Sequence, residues 1–239
     1  MRLPRPVLTL LLFAATAAAT TSVAQDRDNA RFIPARGSHW TFEAGAGSDN
    51  RSKGTSKSDT SPYVFTEAQW NAANGLYADV EFETIDASGS DVETEVEAGW
   101  QVSVAAFDLD ISTSHKWRLG ADAGQDAAAW EVQADVMRGF GDADGRLRVE
   151  HSPDGLGSTG AWTWVEGRLR WPVADRLIAG VTLGRREQDR SPDYTGWNAG
   201  LTWELRDGMN ADFRWHDTDA HHAGETYRGT LVAALTLSF

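Results

Sequence analysis

The clearest structural pattern in the chain lies in residues 75–102, which read GLYADVEFETIDASGSDVETEVEAGWQV. From Leu76 to Glu83 the even positions are apolar and the odd positions are mostly acidic, and the segment from Val92 to Val102 repeats this pattern. Successive side chains of a β-strand point to opposite faces, whereas a helix, with about 3.6 residues per turn, would mix the two sets. Residues 75–85 and 92–102 are therefore predicted to be strands with one apolar and one polar face.

The same alternation recurs along the chain and predicts twelve strands. Their ranges are 39–49, 63–71, 75–85, 92–102, 107–112, 130–136, 146–150, 161–171, 177–186, 197–204, 211–216 and 227–239. The connections are short at one end of the strands and mostly longer at the other. An even number of strands of about ten residues, joined in this way, is typical of an outer-membrane barrel. We predict an all-β chain that forms a transmembrane antiparallel up-and-down β-barrel, with both barrel ends of the chain on the periplasmic side.

The first 24 residues resemble a targeting segment. Arg2 and Arg5 precede an apolar stretch at 7–19, and small residues stand at 22 and 24. This order predicts a secretory signal peptide over residues 1–24, because the apolar stretch is too short for an anchor helix. A polar segment without periodicity follows at 25–38, and we expect it to be a short periplasmic tail before a barrel of residues 39–239.

The composition excludes several classes of function. The 239 residues include no cysteine, so disulfides, Cys-based zinc or haem sites and a lipoprotein anchor are excluded. The 22 Lys and Arg residues are outnumbered by 35 Asp and Glu residues, and the net charge of -13 argues against nucleic acid as a partner. We also expect no cofactor and no metal.

The 11 tryptophans favour a membrane barrel over a soluble barrel or sandwich, which would turn its apolar face inward. Many of them lie near strand ends on the apolar face, and indole rings favour the headgroup level of a bilayer. The final residue, Phe239, looks like the signal that the bacterial barrel-assembly machinery recognises. The expected partners are therefore the lipid bilayer, lipopolysaccharide and that machinery. The predicted membrane-interface aromatic residues are Trp70, Trp100, Trp130, Trp171, Trp197, Trp215 and Phe239.

The polar strand faces predict a charged lumen with two unlike walls. The first six strands contribute acidic residues without Lys or Arg, and the last six contribute mainly arginines; Lys53, Lys57, Lys116 and Arg118 fall in predicted loops. Two interpretations stay open: a narrow, cation-preferring pore crossed by a transverse field, or walls that pair and close the lumen. The predicted pore-lining residues are Asp79, Glu81, Glu83, Glu93, Glu95, Glu97, Asp108, Asp110, Glu131, Asp135, Arg146, Arg148, Arg168, Arg170, Arg186, Arg214 and Arg228.

Five stretches carry a resemblance to a known family. They are SDNRSKGTSKS at 48–58, NGLYA at 74–78, HSPDGLGSTG at 151–160, YTGWNAGLT at 194–202 and WHDTD at 215–219. In this order they resemble the TorF family, whose members are classed as porins by inference. The resemblance implies a bacterial outer-membrane barrel with no assigned substrate. It departs from the family pattern at Asn50 and Ser52, which stand where the family has aromatic residues.

A lipid-acting enzyme is the least favoured alternative. Nucleophilic catalysis needs a base within hydrogen-bonding reach of the nucleophile. His151 and Ser152 are neighbours in a strand and should point to opposite faces, and His216 and Ser238 fall at opposite ends of neighbouring strands. The sequence therefore predicts no catalytic residues and no enzyme activity.

A group of His and Asp residues lies at the start of the last predicted loop. Imidazole and carboxylate groups can both bind metals, but a solvated polar loop is the favoured interpretation of the group. Its members are His216, Asp217, Asp219, His221 and His222.

The sequence as a whole predicts a porin-like channel of the bacterial outer membrane, through which small hydrophilic solutes or ions diffuse passively. The open alternative is a closed barrel with a structural or surface-binding role.

Overall fold

The computed structural model describes residues 37–239, so the predicted signal peptide and almost all of the predicted tail lie outside the described residues. Twelve antiparallel strands form a closed barrel in which each strand pairs with its sequence neighbours, and the first pairs with the last. The predicted all-β up-and-down barrel of twelve strands is therefore confirmed. The barrel strands are β1 (His39–Gly47), β4 (Tyr63–Asn71), β5 (Leu76–Ala87), β6 (Ser90–Val104), β7 (Phe107–Leu119), β8 (Ala128–Phe140), β9 (Ala143–Gly155), β10 (Gly160–Ala174), β11 (Leu177–Gln188), β12 (Tyr194–Arg206), β13 (Met209–Thr218) and β14 (Thr230–Ser238).

The remaining elements all lie in loops. A small separate hairpin consists of β2 (Arg51–Ser52) and β3 (Thr55–Ser56). Single turns of 3-10 helix occupy Leu156–Ser158, His221–Ala223 and Glu225–Tyr227. Within residues 37–239, no helix has the length and apolar character needed to cross a membrane.

The two faces of the barrel differ sharply in polarity. The outer face exposes apolar side chains, such as Ile111 at 59% and Leu183 at 60%. The inner face holds charged side chains that are almost fully buried, such as Asp135 and Arg146. This arrangement inverts that of a water-soluble barrel and is typical of a barrel surrounded by lipid.

The connections differ between the two ends of the barrel. At one end, called here the turn end, the strands are joined by tight turns at 72–75, 105–106, 141–142, 175–176 and 207–208. At the other, called the loop end, mostly longer segments occupy 48–62, 120–127, 156–159, 189–193 and 219–229. One predicted loop, 86–91, is a tight turn instead, because Ser88 and Gly89 have positive φ angles and let β5 and β6 continue to it.

Two strand boundaries differ from the prediction in ways that move charges. β7 continues to Leu119 instead of ending near Ser112, which places Lys116 and Arg118 in a barrel strand. β14 begins at Thr230, so Arg228 lies before it in the last loop. The prediction that the first six strands bring no basic residue to the lumen is therefore wrong.

Candidate functional site

A cavity of about 970 Å³ occupies the interior of the barrel. All twelve barrel strands contribute to its lining, which extends from Asn71 and Leu76 at the turn end to Arg51 and Lys53 of the first loop. Its acidic lining residues are Glu43, Asp49, Glu67, Glu81, Glu95, Glu97, Asp110, Asp135, Glu150, Glu166 and Asp212. Its basic lining residues are Arg51, Lys53, Lys116, Arg146, Arg148, Arg168, Arg170 and Arg214. The cavity is thus a charged space that follows the barrel axis.

Most of the residues predicted to line a pore point into the barrel. Those in the cavity lining are Glu81, Glu95, Glu97, Asp110, Asp135, Arg146, Arg148, Arg168, Arg170 and Arg214. Those at inward strand positions outside this lining are Asp79, Glu83, Glu93, Asp108, Glu131 and Arg186. Arg228 is a correction: it is exposed in the last loop and pairs with Glu225 at 3.2 Å.

The first six barrel strands, β1 and β4–β8, form what is called here the acidic wall, and this wall contains basic residues as well. Lys116 of β7 lies between two carboxylates, 3.3 Å from Glu95 of β6 and 2.8 Å from Glu131 of β8. Arg118 donates through Nε to Glu93 at 2.9 Å. Neither pair was predicted from the sequence, because the predicted strand ended before both basic residues and left them in a loop. The alternation of Ser112, Ser114, Lys116 and Arg118 along one face was the available signal.

The last six barrel strands, β9–β14, form what is called here the basic wall, and nearby carboxylates neutralise part of its positive charge. Arg148 of β9 donates to both oxygens of Asp135 of β8, at 2.9 and 2.7 Å. This bidentate geometry holds the guanidinium in one position against the neighbouring strand. Arg146 donates to Glu166 at 2.6 Å. Arg214 donates to Asp212 at 2.9 Å within its own strand. Charge compensation therefore runs along each wall as well as between the walls.

The first loop, residues 48–62, folds inward and contributes to the cavity. Arg51, Ser52, Lys53 and Gly54 all line it. Lys53 donates from Nζ to Glu150 of β9 at 2.7 Å. Lys57 pairs with Glu83 and, at 2.7 Å, with Glu93. Burial alone would lower the pKa of Lys57, but these two carboxylates outweigh it and raise the pKa above its ordinary value.

An aromatic cluster packs beside this loop on the inner face. Trp162 and Trp164 of β10 and Tyr194 of β12 are almost fully buried together with Ala220. Tyr227 of the last loop meets Tyr194 edge to face, with ring centroids 5.3 Å apart. The cluster joins β10 and β12 to the last loop. Its sequence signal was the position of Trp162 and Trp164 on the polar face of their strand.

The aromatic residues predicted for the membrane interface all lie on the outer face or its rim. Those with strongly exposed rings are Trp100, Trp130, Trp197, Trp215 and Phe239. Trp70 and Trp171 are partly buried. The outer ends of strands thus carry large amphipathic rings, as expected for a band in contact with lipid headgroups.

The candidate catalytic pairs are not brought together. His151 contacts Thr163 at 3.0 Å, whereas the hydroxyl of Ser152 donates to the carbonyl oxygen of Trp130. Ser238 donates to Glu43 at 2.9 Å, at the turn end of the barrel.

The His and Asp residues of the last loop do not converge either. His221 Nε2 lies 2.6 Å from Asp217 Oδ1, but Asp219 accepts a hydrogen bond from the backbone of Thr195. In the described part of the chain, no three His, Asp or Glu side chains are grouped as a metal site.

Three solved structures with a similar fold are porins. The "KdgM porin" superposes with a TM-score of 0.59 at 10% identity, covering 83% of this chain and 99% of that chain. A second structure, "KdgM porin in complex with disordered oligogalacturonate", gives 0.58 at 10% identity, with 83% and 99% coverage. The "NanC porin structure in rhombohedral crystal form" gives 0.54 at 8% identity, with 84% and 98% coverage. At these identities the likeness concerns the fold.

Two comparisons concern the sequence itself. No curated protein matches this chain. One family model, described as "Bacterial protein of unknown function (Gcw_chp)", matches residues 34–237 and so spans nearly the whole barrel. The chain therefore belongs to the Gcw_chp family of bacterial proteins.

Proposed function

We propose that the protein is a porin-like channel of the bacterial outer membrane that lets small hydrophilic solutes or ions diffuse passively through its charged interior. The observation that carries this proposal is the cavity of about 970 Å³, which receives charged or polar side chains from every barrel strand. A polar path inside an apolar outer face is what passage of hydrophilic solutes across lipid requires.

Several further observations support the same proposal. The resemblance to TorF-family porins and the porin fold of the similar structures agree with a channel, and the oligogalacturonate in one of them agrees with a hydrophilic solute. Export through a signal peptide over residues 1–24, contact with lipopolysaccharide and recognition of Phe239 by the assembly machinery belong to this proposal. We propose no catalytic role, since the candidate base and nucleophile pairs lie apart.

The charge balance of the cavity supports a preference for cations. Eleven acidic and eight basic side chains line it. Excess negative charge in a confined, poorly screened space raises the local concentration of cations and lowers that of anions. We therefore expect small, steady conductance with a cation preference.

The test is single-channel recording in planar bilayers, with reversal potentials measured across a salt gradient. Glu95→Gln should weaken the cation preference, and Arg168→Gln should strengthen it, since both residues line the cavity. Asp154→Asn is the matched control, because Asp154 is exposed outside the cavity and its loss should leave the reversal potential unchanged. Folded protein that never conducts would contradict the proposal.

A closed barrel with a structural or surface-binding role is the second candidate. It is favoured by the inward fold of the first loop, which ion pairs such as Lys53 with Glu150 hold across the loop end. Liposome swelling separates the two candidates, since a closed barrel should leave liposomes that contain it impermeable to sugars and amino acids.

A further inference from the structure

The inward part of the first loop is a well-defined hairpin. β2 and β3 pair through Arg51 with Ser56 and Ser52 with Thr55, and Lys53 and Gly54 form the turn between them. Both turn residues have positive φ angles, 53° and 87°, as two-residue hairpins of the commonest type require. Residues 49–58, called here the inner hairpin, therefore hold a fixed shape within the barrel.

One side of the inner hairpin is fastened to the acidic wall. Lys57 pairs with Glu83 of β5 and Glu93 of β6. The side-chain amide of Asn50 donates to the other oxygen of Glu83 at 2.7 Å. Two consecutive strands therefore anchor the base of the hairpin through side chains that are largely shielded from solvent.

The tip of the inner hairpin reaches other strands. Lys53 donates to Glu150 of β9, and its ammonium lies 4.7 Å from the ring centre of Trp162 of β10. Gly54 faces β12, where a Cβ added to Gly196 would come within 2.6 Å of the Lys53 carbonyl oxygen. In the order of the closed barrel, β6 and β12 are on opposite sides of the ring. The inner hairpin thus spans the loop end of the cavity.

Arg51 ties the same hairpin to the last loop. Its guanidinium donates to Asp49 at 2.6 Å, to the carbonyl oxygens of Gly54 and Arg228 at 2.9 Å each, and to the hydroxyl of Thr230 at 2.9 Å. The Arg51 and Asp49 side chains are each only 1% exposed. Because the planar guanidinium of Arg51 donates in several directions, it holds the hairpin in place more firmly than a surface ion pair would.

We propose that the inner hairpin is the constriction that limits passage through the barrel, and that Lys53 at its tip is a specificity-determining residue. This inference rests on the proposed channel function. The hairpin crosses the cavity, and Lys53 brings one positive charge to a lining in which acidic groups are in excess. A charge at a constriction acts on every ion that passes, whereas one on a wide wall is partly bypassed. Lys53 therefore moderates the cation preference that the walls create.

The first experiment removes the constriction. Residues 51–56 are replaced by a short Gly-Ser linker, and single-channel conductance is compared with that of the wild type. We expect conductance to rise by at least about twofold, because the crossing segment is gone. Equal conductance in the two proteins would overturn the inference while leaving the channel function intact.

The second experiment uses the absence of cysteine from the chain and does not depend on how well the shortened protein folds. In Lys53→Cys the reversal potential should shift toward stronger cation preference. Labelling that thiol with 2-aminoethyl methanethiosulfonate should restore the wild-type value, and labelling with the 2-sulfonatoethyl reagent should shift it further. Each channel serves as its own reference before and after labelling.

The matched control is Ala123→Cys, an exposed position in the loop at 120–127, where both labels should leave the reversal potential unchanged. A conducting Lys53→Cys channel that responds to neither label would overturn the inference. If wild-type bilayers stay silent, the proposed function as an open channel fails. The inference then survives only if the shortened variant or Lys53→Cys conducts, and it fails if both are silent.

Discussion

Inward-facing glycines make room for aromatic rings inside the barrel. Gly45 is paired with Phe65 and Gly99 with Tyr77, and in each case an added Cβ would come within 2.6 Å of the ring. The ring occupies the space that a side chain on the neighbouring strand would need. A glycine in a strand weakens it locally, but here it permits close packing of a large side chain across the sheet.

Gly184 offers the sharpest test of this packing. A Cβ there would lie 2.2 Å from the Trp164 ring, which is 2% exposed and cannot move without disturbing its neighbours. Gly184→Ala should lower the free energy of unfolding by about 1–3 kcal/mol. The measurement is the denaturant midpoint of the refolded protein in detergent.

Gly167→Ala is the control, because an added Cβ there meets no atom within 4 Å and the backbone has no positive φ. It should leave stability unchanged or raise it by up to ~1 kcal/mol, since alanine restricts the unfolded chain more than glycine does. A Gly184→Ala midpoint equal to that of the control would show that Trp164 does not need the space.

The barrel strands were predictable from the sequence because the environments on the two sides of the barrel wall both require an alternation with a period of two residues. Lipid on one side and a polar interior on the other require alternation at every second residue, so strands such as 75–85 and 92–102 stand out. Strand ends were less predictable. β7 continues through outward-facing Thr113, His115 and Trp117, which are less apolar than Ile111, so the alternation fades before the strand ends.

The inner hairpin was not predictable in the same way. Its strands are two residues each and polar on both faces, so they carry no alternation. Lys53-Gly54 is a recognisable turn signal, but the contact of Lys53 with Glu150, 97 residues away, leaves no mark in the local sequence. Residue types and faces predicted the charged interior, whereas only the fold shows which loop charges enter it.

The position of Lys116 between β6 and β8 predicts a large effect of its removal. Lys116→Met would leave the carboxylates of Glu95 and Glu131, which are only 17% and 9% exposed, on either side of an uncharged side chain. Removing one partner of a buried pair costs about 3–5 kcal/mol, so the denaturant midpoint should fall strongly. Arg176→Met is the control, because its pair with Asp207 is exposed and should contribute about 0–1 kcal/mol. Similar losses in both variants would contradict the buried character of the first pair.

The whole barrel explains why the chain has the average composition of a soluble protein. Its mean hydropathy of -0.43 combines an apolar outer face with a charged inner one. The net charge is -13, and part of the acidic charge is compensated inside, where Lys53 and Lys57 of the first loop and Lys116 and Arg118 of β7 meet acidic partners. The interior is therefore better balanced than the sequence predicted, and under the proposed channel function selectivity depends on a small excess of acid.

A bilayer around the barrel predicts that charge on the outer face is tolerated at the strand ends but not in the middle. Leu201 lies near the centre of β12 and Leu119 ends β7, and both face outward with similar exposure, 43% and 51%. In phospholipid liposomes, Leu201→Arg should cost about 2–4 kcal/mol of unfolding free energy and Leu119→Arg only about 0–1 kcal/mol, because an arginine at the midplane must be taken out of water. Denaturant titration of the two variants beside the wild type measures both. A soluble barrel hydrates the two sites alike, so equal small losses would count against a membrane location, whereas a loss that grows with depth by about 2 kcal/mol or more is what surrounding lipid predicts.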